Sequence, residues 1–129
     1  MSFEQKPSLE KEFIFKKLTS DDWEKYKEIR LKALETDPRT FGSDFQTEYK
    51  KEEKEWRGMI SDSNRSLYAA LQGETFVGTA ASKKLSKDNY AIYGVYTFSE
   101  FRGKLVSEEL IIKLIKEEKQ NGSKLISLI

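Results

Sequence analysis

The stretch Tyr93-Gly94-Val95-Tyr96-Thr97-Phe98-Ser99-Glu100-Phe101-Arg102-Gly103-Lys104-Leu105-Val106-Ser107 holds the residue types that could do chemistry in this chain. It reads as a strand that runs into a short basic turn containing glycine, and the turn opens a helix. The first turn of a helix has N–H groups without intrahelical partners, and the helix dipole favours negative charge there. Arg102 and Lys104 add cationic donors. A charge-assisted hydrogen bond contributes roughly 1.5–3 kcal/mol, so this turn could hold a pyrophosphate. The same spacing equally suits an ordinary strand-to-helix connection with two solvated cations, because glycine-bearing anion motifs need context to be specific.

The composition mainly removes alternatives. The 129 residues include no cysteine and no histidine. Disulfides, thiolate nucleophiles and cysteine-type zinc sites are excluded, and so are the commonest general base and metal ligand. Acid–base chemistry falls to carboxylates, Tyr, Lys, a terminus or water, and no metal is expected. The 23 basic and 22 acidic residues leave a formal net charge of +1, which argues against a nucleic-acid partner. The polar start MSFEQKPSLEKEF lacks the apolar run of a signal peptide. No stretch approaches the ~20 apolar residues of a membrane span. These features predict a cytoplasmic protein without a membrane partner.

The elements that must position the turn follow from periodicity. Residues 1–11 read as a loose tail, and 12–129 as a single domain. Residues 12–18 form a short strand. Thr19-Ser20-Asp21-Asp22 caps a helix whose stripe is Trp23, Tyr26, Ile29, Ala33 and Leu34. Pro38 ends it. A polar helix follows over about residues 46–60, its narrow apolar face formed by Tyr49, Trp56, Met59 and Ile60. Its charge run Lys50 to Glu55 reads as a solvated face. Strands over 66–71 and 75–85 form a hairpin, and a third strand covers 90–98. A helix spans about 105–120, ended by Asn121-Gly122, and a strand covers 124–129. The order β-α-α-β-β-β-α-β gives an α/β (α+β) fold. The three middle strands are antiparallel, and the last lies parallel to the strand before the final helix.

The residue order Gly94-Val95-Tyr96-Thr97, then Glu100-Phe101-Arg102-Gly103-Lys104, resembles the acetyl-CoA motif of the GNAT N-acetyltransferase superfamily, Arg/Gln-x-x-Gly-x-Gly/Ala. Trp23-Glu24-Lys25-Tyr26 to Leu34 resembles that family's first helix. Asp37-Pro38-Arg39-Thr40-Phe41-Gly42-Ser43 resembles the loop after it. Phe76-Val77-Gly78-Thr79-Ala80 resembles its central strand. The resemblance implies a mixed, mostly antiparallel sheet flanked by helices. It implies that the backbone of Val95, Tyr96 and Thr97 pairs with the pantetheine arm of acetyl-CoA. The amides of Arg102, Gly103, Lys104, Leu105, Val106 and Ser107 would cradle the pyrophosphate, and Phe41 and Gly42 would line the acceptor pocket. The implied reaction is direct attack of a primary amine, on a small molecule or a protein, upon the thioester.

The chain departs from that pattern at three places. Leu105 and Ser107 replace the two motif glycines; Leu105 is expected to crowd the phosphates, and Ser107 could donate its hydroxyl. The strand run Asn89-Tyr90-Ala91-Ile92-Tyr93 has no carboxylate, and Asp88 and Glu100 read as a turn former and a surface charge. The catalytic residues therefore stay unassigned. The helix and last two strands that usually complete the family's fold have no counterpart, so an incomplete domain is expected, with a homodimer formed through residues 123–129. Two alternatives stand beside the enzyme: a degenerate acetyl-CoA-binding module without turnover, and a structural or interaction domain without ligand.

Overall fold

The structure, a computed structural model, describes residues 13–36 and 44–128. Its elements are β1 (Ile14–Lys17), α1 (Trp23–Thr36), α2 (Phe45–Tyr49), α3 (Glu53–Ser61), β2 (Arg65–Gln72), β3 (Thr75–Ser86), β4 (Asn89–Thr97), α4 (Val106–Gln120) and β5 (Leu125–Leu128). Short 3-10 turns at Ser20–Asp22 and Ser99–Phe101 precede α1 and α4.

The five strands form one sheet in the order β1-β2-β3-β4-β5. The first four are mutually antiparallel, and β5 lies parallel to β4. Helix α4 makes the crossover that a parallel pair needs.

Both faces of the sheet are covered, which explains why β2 and β3 read as nearly continuous apolar runs rather than alternating ones. Neighbouring residues go to opposite faces. Ala69 and Ala81 join Tyr26, Ile29, Trp56 and Ile60 on the α1/α3 face. Ala70 and Ala80 join Phe13, Leu110 and Leu114 on the α4 face. At the start of α1, the Thr19 N–H donates to Asp22 Oδ2 at 2.9 Å, so Asp22 supplies the cap.

The expected helix over 46–60 is two helices. Asp44 caps α2 by accepting from the Thr47 N–H at 2.8 Å. The chain then breaks at Lys50–Glu52, and α3 restarts with the Glu55 N–H donating to the Glu52 carbonyl at 2.9 Å. The break serves Trp56, which is fully buried. Its indole N–H reaches back to the Lys51 carbonyl at 3.3 Å, and its ring packs edge-on against Tyr26 with centroids 5.9 Å apart. The run 50–55 is therefore not one solvated helix face. Tyr49, expected in the core, is 58% exposed and stacks on Phe45 instead.

Candidate functional site

The site begins where β4 changes register. Between the pairs Thr79↔Tyr96 and Ala81↔Tyr93, β4 carries two residues, Gly94 and Val95, opposite Ala80 alone. This is a β-bulge. Gly94 takes φ 62° there, a left-handed conformation that favours glycine. Space is also short, because a Cβ on Gly94 would lie 3.2 Å from Nη1 of Arg30.

On its other side, β4 pairs with β5 from Asn89↔Leu125 to Ile92↔Leu128. Among the described residues, the segment Tyr93–Thr97 thus has a strand neighbour on the β3 side alone. Its second edge presents backbone donors and acceptors of the kind that take up an extra strand.

Beyond Thr97 the chain turns into α4. Phe101 anchors the turn by packing edge-on against Phe13, with centroids 6.0 Å apart. Gly78 lets β3 and α4 approach closely: a Cβ there would stand 2.9 Å from the Tyr96 carbonyl and 3.3 Å from Val106 Cγ1. At the start of α4 the Glu109 N–H donates to the Leu105 carbonyl at 3.0 Å. The amides of Leu105 to Glu108 precede that ladder, as expected at a helix N-terminus.

Several side chains take places that differ from the sequence expectation. Leu105 is the N-cap, not the first residue of the helix, and adopts φ 64° and ψ 18°. Its side chain is 58% exposed, so the cost of leucine here is backbone strain of roughly 1–2 kcal/mol. Ser107 Oγ lies 2.6 Å from Thr97 Oγ1, which commits that hydroxyl to the end of β4. Val106 is a core residue at 1% exposure. Arg102 Nε donates to the Thr97 carbonyl at 2.9 Å, and its guanidinium stands 5.8 Å from the Tyr96 ring centre. Gly103 and Lys104 are exposed in the turn.

Glu108 and Glu109 lie in the first turn of α4. They favour the helix by their interaction with its dipole, but lower the positive potential that an anion would meet.

A groove of about 530 Å³ opens on the α1 side of this strand and turn. Lys32 and Thr36 form one wall, and Ser99, Glu100 and Arg102 the other, over Tyr96 and Phe98. Thr36 Oγ1 and the Tyr96 hydroxyl share a hydrogen bond of 3.0 Å. Phe41 and Gly42, expected at the acceptor pocket, lie outside the described residues. Asp88 acts in its turn, its carbonyl accepting from Lys124 N–H at 2.8 Å and Leu125 N–H at 3.2 Å.

Sequence reading missed the polar cluster behind the bulge. Arg30 of α1 donates through Nε and Nη2 to both carboxylate oxygens of Glu48, each at 2.9 Å. Glu48 is 3% exposed. Nearby, Arg65 Nη1 donates to the Tyr93 hydroxyl at 2.5 Å. Burial pushes the Tyr26 phenol well above its ordinary value, and the Arg30 charge opposes that rise. The available signal was one arginine and one acid on neighbouring helices, which many solvated pairs also show.

Among the described residues, no group of three or more His, Cys, Asp or Glu residues could hold a metal ion. Among them, too, no helix is long and apolar enough to cross a membrane.

A family model described as the acetyltransferase (GNAT) family matches residues 18–129. No curated protein matches by sequence. Among solved structures, the chain is similar to an aminoglycoside acetyltransferase from an uncultured soil metagenomic sample in complex with sisomicin, with 16% identity and a TM-score of 0.75. That likeness covers 95% of this chain and 80% of the other. It is also similar to a predicted acetyltransferase with acetyl-CoA from Clostridium acetobutylicum, with 17% identity, TM-score 0.72, and coverage of 91% and 80%. A third similar structure is the PaiA N-acetyltransferase of Thermoplasma acidophilum in complex with coenzyme A, with 17% identity, TM-score 0.70, and coverage of 85% and 74%.

Proposed function

Since the chain belongs to the acetyltransferase (GNAT) family, we propose that it transfers the acetyl group of acetyl-CoA to a primary amine by direct attack. The observation that carries this reading is the edge of β4 over Tyr93–Thr97, without a strand neighbour on its β5 side among the described residues, running straight into the N-terminal amides of α4. The pantetheine arm pairs with the backbone of Val95, Tyr96 and Thr97. The Arg102 N–H donates to the Ser99 carbonyl at 3.3 Å, so the amides from Gly103 to Ser107 receive the pyrophosphate, with the side chains of Arg102 and Lys104 adding charge. The amine lone pair forms a bond to the thioester carbonyl carbon, the carbon–sulfur bond breaks, and the thiolate of coenzyme A leaves. The proton released by the amine passes to water or a base. The structures of similar fold named above as solved with acetyl-CoA or coenzyme A support the choice of co-substrate.

Calorimetry with acetyl-CoA and a thiol-release assay over an amine panel test the reading. Arg102→Ala with Lys104→Ala should weaken binding at least about tenfold, at roughly 1.5 kcal/mol for a charged hydrogen bond, and flatten its salt dependence. Unchanged affinity in the double variant would place the phosphates elsewhere. A second reading, binding without turnover, is favoured by one observation: β4 carries no carboxylate, and nearby Glu48 is closed in a bidentate pair with Arg30. Binding without thiol release on any amine would select it.

The proposal extends to a homodimer through β5, where Leu125 and Leu128 are 57% and 65% exposed while Ile126 packs on the α4-side core. Leu128→Lys should then yield monomers by light scattering, and a parent that is already monomeric would remove the idea.

A further inference from the structure

We infer that Arg30 and Glu48 are positioning residues for the transfer: bound to each other behind the bulge of β4, they fix the stretch of strand against which the thioester lies. This rests on the function proposed above. With the pyrophosphate at the amides that open α4 and the pantetheine arm along Thr97, Tyr96 and Val95, the arm runs up β4 away from α4, and its thioester end arrives at Gly94. There β4 sets Gly94 and Val95 against Ala80 alone, just past its last described pair with β5, Ile92↔Leu128. A bulge bends its strand and re-aims what the strand carries. Where the bulge stands thus sets where the reacting carbon stands.

Arg30 fixes the bulge from α1. Its Nη1 stands 3.2 Å from the place of a Cβ on Gly94, so the bulge has no room to sink toward that helix. The guanidinium is itself held in the fork of Glu48, by bonds of 2.9 Å from Nε and from Nη2, a planar match that a lysine does not reproduce. Glu48 is held in turn by α2, whose cap is the Asp44 carboxylate on the Thr47 N–H at 2.8 Å. The residue before the bulge is tied as well, the Tyr93 hydroxyl accepting from Arg65 Nη1 at 2.5 Å. Stability alone gives little reason for a buried ion pair, since an apolar pair of similar volume often serves as well or better. A fixed fork against a glycine at φ 62° supplies another reason. Reacting groups must meet in a narrow geometry, and a misplacement of about 1 Å caused far from the chemistry costs about a hundredfold in rate.

Arg30→Met with Glu48→Leu removes both charges and keeps apolar packing, so a purely structural pair predicts that activity survives along with stability. The positioning role predicts a split. In thiol release with saturating acetyl-CoA and a reactive amine, kcat should fall about tenfold to a hundredfold, while the calorimetric Kd for acetyl-CoA, set by the phosphates and the arm, changes by less than about threefold. Urea unfolding should place the double variant close to the parent. In proton–nitrogen correlation spectra the Gly94 and Val95 amides should shift and exchange faster, with the Ala70 amide of β2 as an unmoved reference. Arg30→Lys keeps the charge balance but not the fork; it should show the same split in smaller degree, and it decides the matter if the double variant does not fold. Undiminished kcat in the deciding variant, or Gly94 and Val95 amides that stay in place whatever activity is lost, would overturn the inference. A parent that releases no thiol from any amine would sink the proposed function instead. The bulge is then read from its amides alone: Gly94 and Val95 should respond differently to acetyl-CoA and to coenzyme A in the parent, and alike in the double variant. Equal responses in the parent would overturn the inference.

Discussion

Thr97 and Ser107 join hydroxyl to hydroxyl at 2.6 Å, closing the end of β4 onto the first turn of α4. The Thr97 carbonyl is tied to Arg102 Nε as well, at 2.9 Å. One residue thus fixes the turn at both ends, and the hydroxyl of Ser107 serves the fold. Ser107→Ala should lower stability by about 1 kcal/mol, the usual worth of such a bond, in urea unfolding. Acetyl-CoA affinity should change by less than about tenfold. A loss of more than that at unchanged stability would make the hydroxyl a phosphate donor after all.

Leu105 gives a prediction of opposite sign. At φ 64° a leucine is strained, and because it precedes α4 the substitution carries no helix-interior penalty. Leu105→Gly should therefore raise stability by about 0.5–1 kcal/mol, the strain relieved being partly offset by the greater freedom of glycine in the unfolded chain. Leu105→Val should lower it, since a β-branched residue tolerates positive φ less well. Thermal melts of the three proteins check the order, and a glycine variant less stable than the parent would refute it.

The strand, turn and helix from Tyr93 to Ser107 were legible because each signal is local: apolar alternation, a basic glycine turn, and a helical stripe of Leu110, Ile111 and Leu114. The break between α2 and α3 was not. Its determinant is Trp56, whose burial and bond to the Lys51 carbonyl require the chain to fold back over residues that look like a solvated face. The left-handed backbone of Leu105 also escaped the sequence reading, because the motif position normally held by glycine gave no sign that a leucine would keep glycine's conformation. Lys32 and Thr36 entered the candidate site only once α1 lay beside β4, since helical spacing within α1 says nothing about which strand end it meets.

The α4 face holds a polar group whose effect depends on pH. Glu117 accepts hydrogen bonds from Tyr68 at 2.7 Å and Ser66 at 3.2 Å, and pairs with Lys17. Burial pushes its carboxyl up, but the bonds from Lys17 and Tyr68 outweigh this and hold it below its ordinary value. A group depressed in the folded state contributes stability above its unfolded value and loses it as pH falls through the folded one. Glu117→Gln should thus be destabilising by roughly 1 kcal/mol at neutral pH. The gap to the parent should close as pH falls below about 4, where the carboxyl protonates in the unfolded chain and then in the folded one. Urea unfolding at both pH values measures it, and a gap of constant size would show that charge plays no part.

Behind the bulge, Arg30 and Glu48 are bound to each other on both forks and are only 12% and 4% exposed in their side chains. They join α1 to the short α2, and Arg30 Nη1 occupies the space that a Cβ on Gly94 would need. A buried pair adds little compared with a well-packed apolar pair, yet removing one partner leaves an uncompensated charge. Glu48→Ala should therefore lower stability by about 3–5 kcal/mol, far more than Glu53→Ala, whose exposed pair with Arg57 is worth under about 1 kcal/mol. Arg30→Met with Glu48→Leu should recover most of the loss, because neither charge then remains buried. A double-mutant cycle by urea unfolding separates the pairing from the packing. If Glu48→Ala is no worse than Glu53→Ala, Arg30 finds other compensation, and the pair does not hold α2 against the bulge.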